Sequence, residues 1–260
     1  MDNKSKISVC VISFNEERNI EDCLKSVSWA DEIIMVDSFS TDRTIELAKQ
    51  YTSKIFVRKW EGYSEAKNFA VQNASNNWIL SIDADERVTP ELKNEIISVI
   101  NDSSKRYTGY KVARQAYFLG KWIKHSGWYP GYVIRLFRKD SGTFSNSRVH
   151  ERFELVGETG TLNNPLLHFT DDNLLHYFNK FNKYTSLAAD DLEEKGTPFR
   201  IWYLFIKPIY TFFKMFILKR GFLDGLHGFV LSVLSSAYVF TKYAKLWEIK
   251  LSKTNKKDLL

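Results

Sequence analysis

Asp83-Ala84-Asp85-Glu86 follows directly on the apolar run Trp78-Ile79-Leu80-Ser81-Ile82. Two carboxylates one residue apart reach the edge of a sheet together when they end a strand, because there the chain leaves the regular pleat and both can turn toward one ligand. Their hard oxygens suit Mg²⁺ or Mn²⁺, ions that are usually shared with a diphosphate. A plainer reading stands beside this one. Thr89-Pro90-Glu91 has the form of an N-cap, an N1 proline and a first-turn acid, so the acids also fit a solvated turn before a helix.

The elements that must position these acids alternate over the first hundred residues. Ile7 to Ile12, Ile33 to Val36, Ile55 to Val57 and Trp78 to Ile82 are apolar runs of strand length. Between them, Glu16 to Val27, Asp42 to Tyr51 and Gly62 to Asn73 carry helical periodicity, with Ile20, Leu24 and Val27 on one face of the first. Strands apolar throughout and separated by helices predict a parallel sheet covered on both faces, an α/β architecture. Such sheets bind ligands at the carboxyl ends of their strands. That rule gathers Ser13, Asn15 and Glu16 after strand one, Asp37 after strand two, and Asp83 with Asp85 after strand four. Asp37 is read as an acceptor for a base or ribose hydroxyl, since Asp42 lies nearer the start of the second helix and suits its cap. The sequence has no Gly-X-Gly-X-X-Gly and no Walker-type loop. A bound diphosphate would therefore need a metal on Asp85 and basic side chains.

The 260 residues are enough for one large domain, or a domain with an appendage. Cys10 and Cys23 lie in apolar patterns and read as buried thiols of a reducing compartment. The polar start, Met1 to Lys6, leads straight into a strand and has no secretory pattern, so the catalytic part is expected in the cytoplasm. Formal charge is uneven: −5 over residues 1–100, +2 over 101–194 and +9 over 195–260. The basic end also holds 14 of the 39 aromatic residues, a mixture that favours an anionic membrane surface over nucleic acid.

Phe199 to Leu218 is long enough to span a bilayer, but Arg200, Lys207 and Lys214 recur every seven residues and would form a cationic stripe. A stripe of that kind beside Phe205, Ile209, Phe212, Phe213 and Phe216 suits an amphipathic helix lying in the interface, with a kink at Pro208. Leu226 to Phe240 carries small residues at Gly228, Ser232 and Ser235 that would let it pack closely on the first helix. An ordinary buried helical pair is the alternative.

Four ordered segments together resemble the family 2 glycosyltransferases of the GT-A fold. They are Val11-Ile12-Ser13-Phe14-Asn15-Glu16-Glu17, Val36-Asp37-Ser38-Phe39-Ser40-Thr41-Asp42-Arg43-Thr44, Ala66-Lys67-Asn68-Phe69-Ala70, and Leu80-Ser81-Ile82-Asp83-Ala84-Asp85-Glu86. The match is closest to the group that adds a glucose-type sugar to the lipopolysaccharide inner core, and continues more weakly through Gly127 to Gly131, Arg135 to Arg138 and Val149-His150-Glu151. The resemblance implies a mixed, mainly parallel sheet and a UDP-sugar donor. Ser13, Asn15 and Glu16 would line the nucleotide pocket with Asp37 near base or ribose. Lys67 would approach the diphosphate, Asp83 the ribose or metal, and Asp85 would be the main metal ligand. Two positions depart from the pattern. Phe39 stands where a small residue such as glycine is common, and Lys67 keeps the charge of a frequent arginine but not its fork.

Inverting transfer needs a carboxylate to take the acceptor hydroxyl's proton. Glu151, flanked by His150, Arg148 and Arg152, is the first candidate, and a salt-bridged surface strand is the equal alternative; Asp140, Asp171 and Asp172 are reserves. His168 would complete a metal shell or serve structurally. Trp128 and Tyr129 would stack on an acceptor sugar or simply fill core. Arg135 and Arg138, three apart, would face one phosphate-bearing ligand or pair with surface acids. The organisation expected is a catalytic domain over 1–195, with a nucleotide half (1–100) and an acceptor half (101–195), then a membrane-associating region over 196–260. The expected acceptor is lipopolysaccharide core or another lipid-linked glycan at the cytoplasmic face of the inner membrane. The alternatives are an undecaprenyl-linked or capsular glycan, or a catalytically silent assembly factor.

Overall fold

The computed structural model describes residues 4–102, 104, 106–145 and 152–257. β1 (Ile7–Ser13), α1 (Ile20–Ser26), β2 (Glu32–Asp37), α2 (Thr44–Ala48), β3 (Ile55–Val57), α3 (Tyr63–Gln72) and β4 (Trp78–Asp83) alternate as the apolar pattern requires. The first two helices start later than their periodicity suggests, because the residues before them are used by facing loops. Asn15 N–H donates to Ser40 Oγ at 2.8 Å, Thr41 N–H to Asn15 Oδ1 at 2.8 Å, and Glu17 N–H to Asp42 at 3.1 Å. Asn15 and Phe39 take positive φ, 53° and 59°, to make these loops meet. Phe39 thus occupies a left-handed conformation that favours glycine, despite carrying a full side chain.

β5 (Glu86–Arg87) and α4 (Pro90–Asn101) follow, then β6 (Gly109–Phe118), β7 (Lys121–Trp122), β8 (Gly131–Arg138), β9 (Gly142–Phe144), β10 (Phe153–Leu155), β11 (Thr159–Thr161) and β12 (Leu166–Asp171). Thr89 caps α4 by accepting from Leu92 N–H at 3.1 Å, with Pro90 at N1. The acids at 83–86 therefore end a strand and also precede a capped helix. The sheet runs β3-β2-β1-β4-β8-β6-β12-β5, with β7 and β11 also on β6 and a separate β9-β10 hairpin. Its first four strands are parallel, and β8 adds to β4 antiparallel.

The chain divides into two compact units, residues 1–115 with 131–169, and residues 116–130 with 170–260. In the first, alternate strand residues serve two cores. Val9, Val11, Leu80 and Ile82 pack with Ile20, Leu24, Leu92 and Ile96 of α1 and α4. Cys10, Ile12, Ile34 and Ile79 pack with Ala70 and Val71 of α3 and with Phe137, Phe144 and Phe153. Both faces are covered, which is why these strands read as unbroken apolar runs. Cys10 and Cys23 are buried, and burial pushes both thiols above their ordinary range.

The second unit contains β7 folded on the end of β6, then α5 (Leu174–Glu194), α6 (Tyr203–Phe213) and α7 (Gly225–Lys257). A π-helical turn over Lys214–Leu218 and a 3₁₀ turn over Gly221–Asp224 form the corner between α6 and α7. Phe199 to Leu218 is thus not one continuous α-helix. Lys207 leaves the expected cationic stripe, for its Nζ lies 2.6 Å from the Tyr243 hydroxyl of α7 and over the rings of Tyr203 and Tyr243. α6 continues through Pro208, whose carbonyl accepts from Ser236 Oγ of α7 at 2.9 Å.

Gly228 sets how closely the corner folds back, since a Cβ there would stand 1.9 Å from the Gly221 carbonyl oxygen. Because the obstacle is backbone, Gly228→Ala should lower stability by about 1–3 kcal/mol, read as a reduced melting temperature. An unchanged or raised melting temperature would show that the corner tolerates the methyl group.

Candidate active site

The strand registers bring the polar ends together. Ile12 of β1 is paired with Asp83 of β4, and Ser13 with Asp37 of β2. Asp83 is the centre of the charge arrangement. Lys67 Nζ of α3 lies 2.9 Å from its Oδ1, while Arg135 Nη2 of β8 contacts its Oδ2 at 2.5 Å. Lys67 and Arg135 are both buried, at 1% and 5% exposure, so each cation depends on this pairing. Burial works against the Asp83 charge, but Arg135 and Lys67 overcome it and hold the carboxyl well below the usual carboxylate range. Burial likewise disfavours the Arg135 charge, and Asp83 and Glu86 more than restore it.

Glu86 is fully buried one turn further on. Its Oε1 accepts from Arg135 at 2.7 Å and its Oε2 from the Asp83 backbone N–H at 3.0 Å. It shapes the turn and anchors Arg135. No local sequence signal identifies this pairing, because β8 joins β4 from more than fifty residues away.

Asp85 meets His168. β12 pairs antiparallel with β5, placing His168 opposite Glu86 and its Nε2 3.4 Å from Asp85 Oδ2. Burial lowers the affinity of the imidazole for a proton, but the Asp85 carboxylate outweighs it and the pKa lies above the ordinary 6.5. Among the described residues no group of three or more His, Cys, Asp or Glu forms a metal cluster. One carboxylate and one imidazole, with the remaining positions left to diphosphate and water, fit a single divalent cation, Mn²⁺ more readily than Mg²⁺. Asp85 and His168 would be the first donors, while both Asp83 oxygens already have a cation partner.

Asp37 is fully buried and accepts from Ser13 Oγ at 2.9 Å, Ser40 N–H at 2.7 Å and Ser40 Oγ at 2.6 Å. It holds the β2 loop against β1, leaving Asn15 at the loop surface. Glu16 accepts at its side chain from Asn19 Nδ2 at 2.9 Å and donates its N–H to Thr44 Oγ1 at 2.8 Å. Arg135 and Arg138 do not face one ligand. Arg138 is paired with Trp78 at the opposite end of β4 and stacks over its ring at 4.5 Å. In the second unit, Trp128 packs edge-on against Phe118 and Tyr129 against Trp122, both half-buried. Glu151 and its neighbour His150 lie outside the described residues.

A mixed, mainly parallel α/β sheet with acids and cations gathered at its strand ends defines a GT-A-like nucleotide-sugar transferase architecture. Residues 8–152 match glycosyl transferase family 2, and the chain belongs to that family. It is 33% identical over 261 residues to an uncharacterized glycosyltransferase of Rickettsia typhi, covering 96% of this chain and 89% of the relative. It is 31% identical over 257 residues to the lipopolysaccharide core biosynthesis glycosyltransferase LpsC of Rhizobium meliloti, covering 94% and 93%. The crystal structure of S. aureus TarS with UDP overlays with a TM-score of 0.49 at 14% identity, over 92% of this chain and 91% of that one.

The raised His168 pKa gives a testable sign. A metal takes the neutral imidazole, so binding must release a proton and strengthens as pH rises through the His168 value. Mn²⁺ titrations should therefore show binding that tightens as pH rises above 6.5, and His168→Gln should flatten that dependence. Without metal the sign is opposite for stability. The Asp85–His168 pair contributes fully below about 6.5 and its contribution is lost as pH climbs through the raised folded value. Metal affinity independent of pH in the wild-type protein would remove His168 from the ligand set.

Proposed function

We propose that this glycosyltransferase moves a glucose-type hexose, with inversion, from a UDP-sugar to lipopolysaccharide core or another lipid-linked glycan at the cytoplasmic face of the inner membrane. The observation that carries this reading is the strand-end site, where Asp83 is held between Lys67 and Arg135 with Asp85 and His168 beside it. The similarity to LpsC over nearly its whole length supports the lipopolysaccharide-type acceptor.

In the proposed reaction the acceptor hydroxyl oxygen attacks the anomeric carbon. The bond from that carbon to the β-phosphate oxygen breaks, and the diphosphate leaves with the electron pair. Glu151 takes the hydroxyl proton. Mg²⁺ or Mn²⁺, held by Asp85 and His168, would supply positive charge for the diphosphate. Lys67 and Arg135 keep Asp83 ionised, so that its carboxylate remains an acceptor at the ribose side. Ser13, Asn15, Glu16 and the Asp37-held loop form the nucleotide wall, and Trp128 and Tyr129 of the second unit are the aromatic candidates for holding an acceptor sugar.

A screen of nucleotide sugars with Mn²⁺ or Mg²⁺ should find one donor that is hydrolysed slowly and transferred to a lipid-linked glycan. Asp85→Ala should lower its turnover about 100-fold or more, and undiminished turnover would remove the metal role. Glu151→Gln should leave donor affinity unchanged while transfer is lost. Loss of both together would show that Glu151 is structural.

A further inference from the structure

The second unit presents an unusual surface. Phe205, Ile209, Phe213 and Ile217 recur every four residues along one ridge of α6 and its π-turn, each 46–60% exposed. At the corner, Leu218, Leu223 and Leu226 are 68%, 54% and 73% exposed, with Phe222 between them. Contiguous apolar surface of this extent is kept small on soluble monomers and marks an interaction face.

The charges around the corner indicate what covers it. Lys219 and Arg220 are exposed immediately after the π-turn. The loop at 121–127 is bound to the same corner, because Lys124 N–H and His125 N–H donate to the Asp224 carboxylate at 3.2 and 2.9 Å and Ser126 N–H to the Lys219 carbonyl at 2.9 Å. Lys121 Nζ donates to the Asp224 carbonyl at 2.9 Å, and Lys124 is exposed beside it. Asp224, the acid of this corner, is buried at 3% exposure, so its charge is turned inward and the rim is cationic. A second copy of the chain would bring an identical cationic rim and meet like charge across a two-fold contact. An anionic lipid surface meets both features at once.

We propose that the α6–α7 corner, residues 217–226, inserts into one leaflet of an anionic bilayer, with Lys124, Lys219 and Arg220 at headgroup level. This rests on the membrane placement proposed above and adds its point of entry. Residues 221–253 are long and apolar enough to cross a bilayer. The far half of α7, however, is tied to a polar helix. Lys245 Nζ bonds Asn182, Thr185 and Ser186 of α5, and Lys250 and Lys253 pair with Glu193 at 2.8 and 2.7 Å. Nearer the corner, Tyr177 of α5 packs in one apolar cluster with Leu231, and Phe181 packs on Tyr238. A crossing α7 would carry Lys180 and Lys183 of α5 into hydrocarbon, so insertion stops at the corner.

Sedimentation of the detergent-free protein with phosphatidylglycerol-containing vesicles and with neutral phosphatidylcholine vesicles tests the point of entry. The wild-type protein should sediment with the anionic vesicles. The double variant Phe222→Glu/Leu223→Glu should reduce the bound fraction at least tenfold, and Leu251→Glu, far along α7, should leave it unchanged. Lys219→Glu/Arg220→Glu should abolish the preference for anionic lipid. Near-ultraviolet circular dichroism matching wild type keeps a folding failure from counting as support. A nitroxide on Leu223→Cys should lie in the acyl region, and one on Leu251→Cys should stay in water, the native thiols being buried. Wild-type binding with undiminished binding of the double glutamate variant overturns the corner as entry point, as does a label at position 251 inside the acyl region. Dimers that the same variant disperses, in a protein that binds no vesicle, would assign the face to a second copy. Wild-type protein that binds neither vesicle defeats the membrane placement itself.

Discussion

The Asp83 carboxylate, held between Lys67 and Arg135, is the interaction on which the site depends. Each of the two cations is buried, and a buried charge without its partner is far more costly than one exposed to water. The arrangement joins α3, β4 and β8 at one point, and through Glu86 it also fixes the turn that leads to Asp85. Asp85 in turn owes its partner to the antiparallel pairing of β5 with β12. The strand order is therefore what converts residues scattered from position 13 to position 168 into one charged edge.

Within that edge the acids divide their work by what surrounds them. Asp37 and Glu86 are fully buried and satisfied by groups of the chain, so they hold loops. Asp83 has partial exposure and two cations, and stays ionised. Asp85, with an imidazole beside it, offers a hard oxygen donor next to a softer nitrogen, a pair that suits a divalent ion such as Mn²⁺. The same logic of local pairing operates in the second unit, where Asp224 faces inward while lysine and arginine remain outside.

Much of this was legible in the residues. Runs such as Val9-Cys10-Val11-Ile12 announce a sheet covered on both faces, and Thr89-Pro90 announces the start of α4. The carboxyl-end rule gathers Ser13, Asp37 and Asp83 without further information. What escaped depends on contacts distant in sequence or on local geometry. Arg135 and Arg138 look like neighbours at a spacing of three, but on a strand that spacing sends side chains to opposite faces, and β8 places them toward opposite ends of β4. Asp37 reads as a ligand group, and its hydrogen bonds to Ser13 and Ser40, the latter brought close by the positive φ of Phe39, are a loop-holding role that no local signal announces. Lys207 fits a cationic stripe by periodicity, yet Tyr243 of α7 captures it.

The proposed role of Asp85, to hold a divalent cation together with a nucleotide diphosphate at the end of β4, decides how the site works. Calorimetric titration of UDP into the protein, with and without Mn²⁺, compared between wild type and Asp85→Asn, tests it most directly. Mn²⁺ should tighten UDP binding to the wild-type protein at least tenfold and have no such effect in the variant. Equal enhancement by Mn²⁺ in both proteins would contradict it.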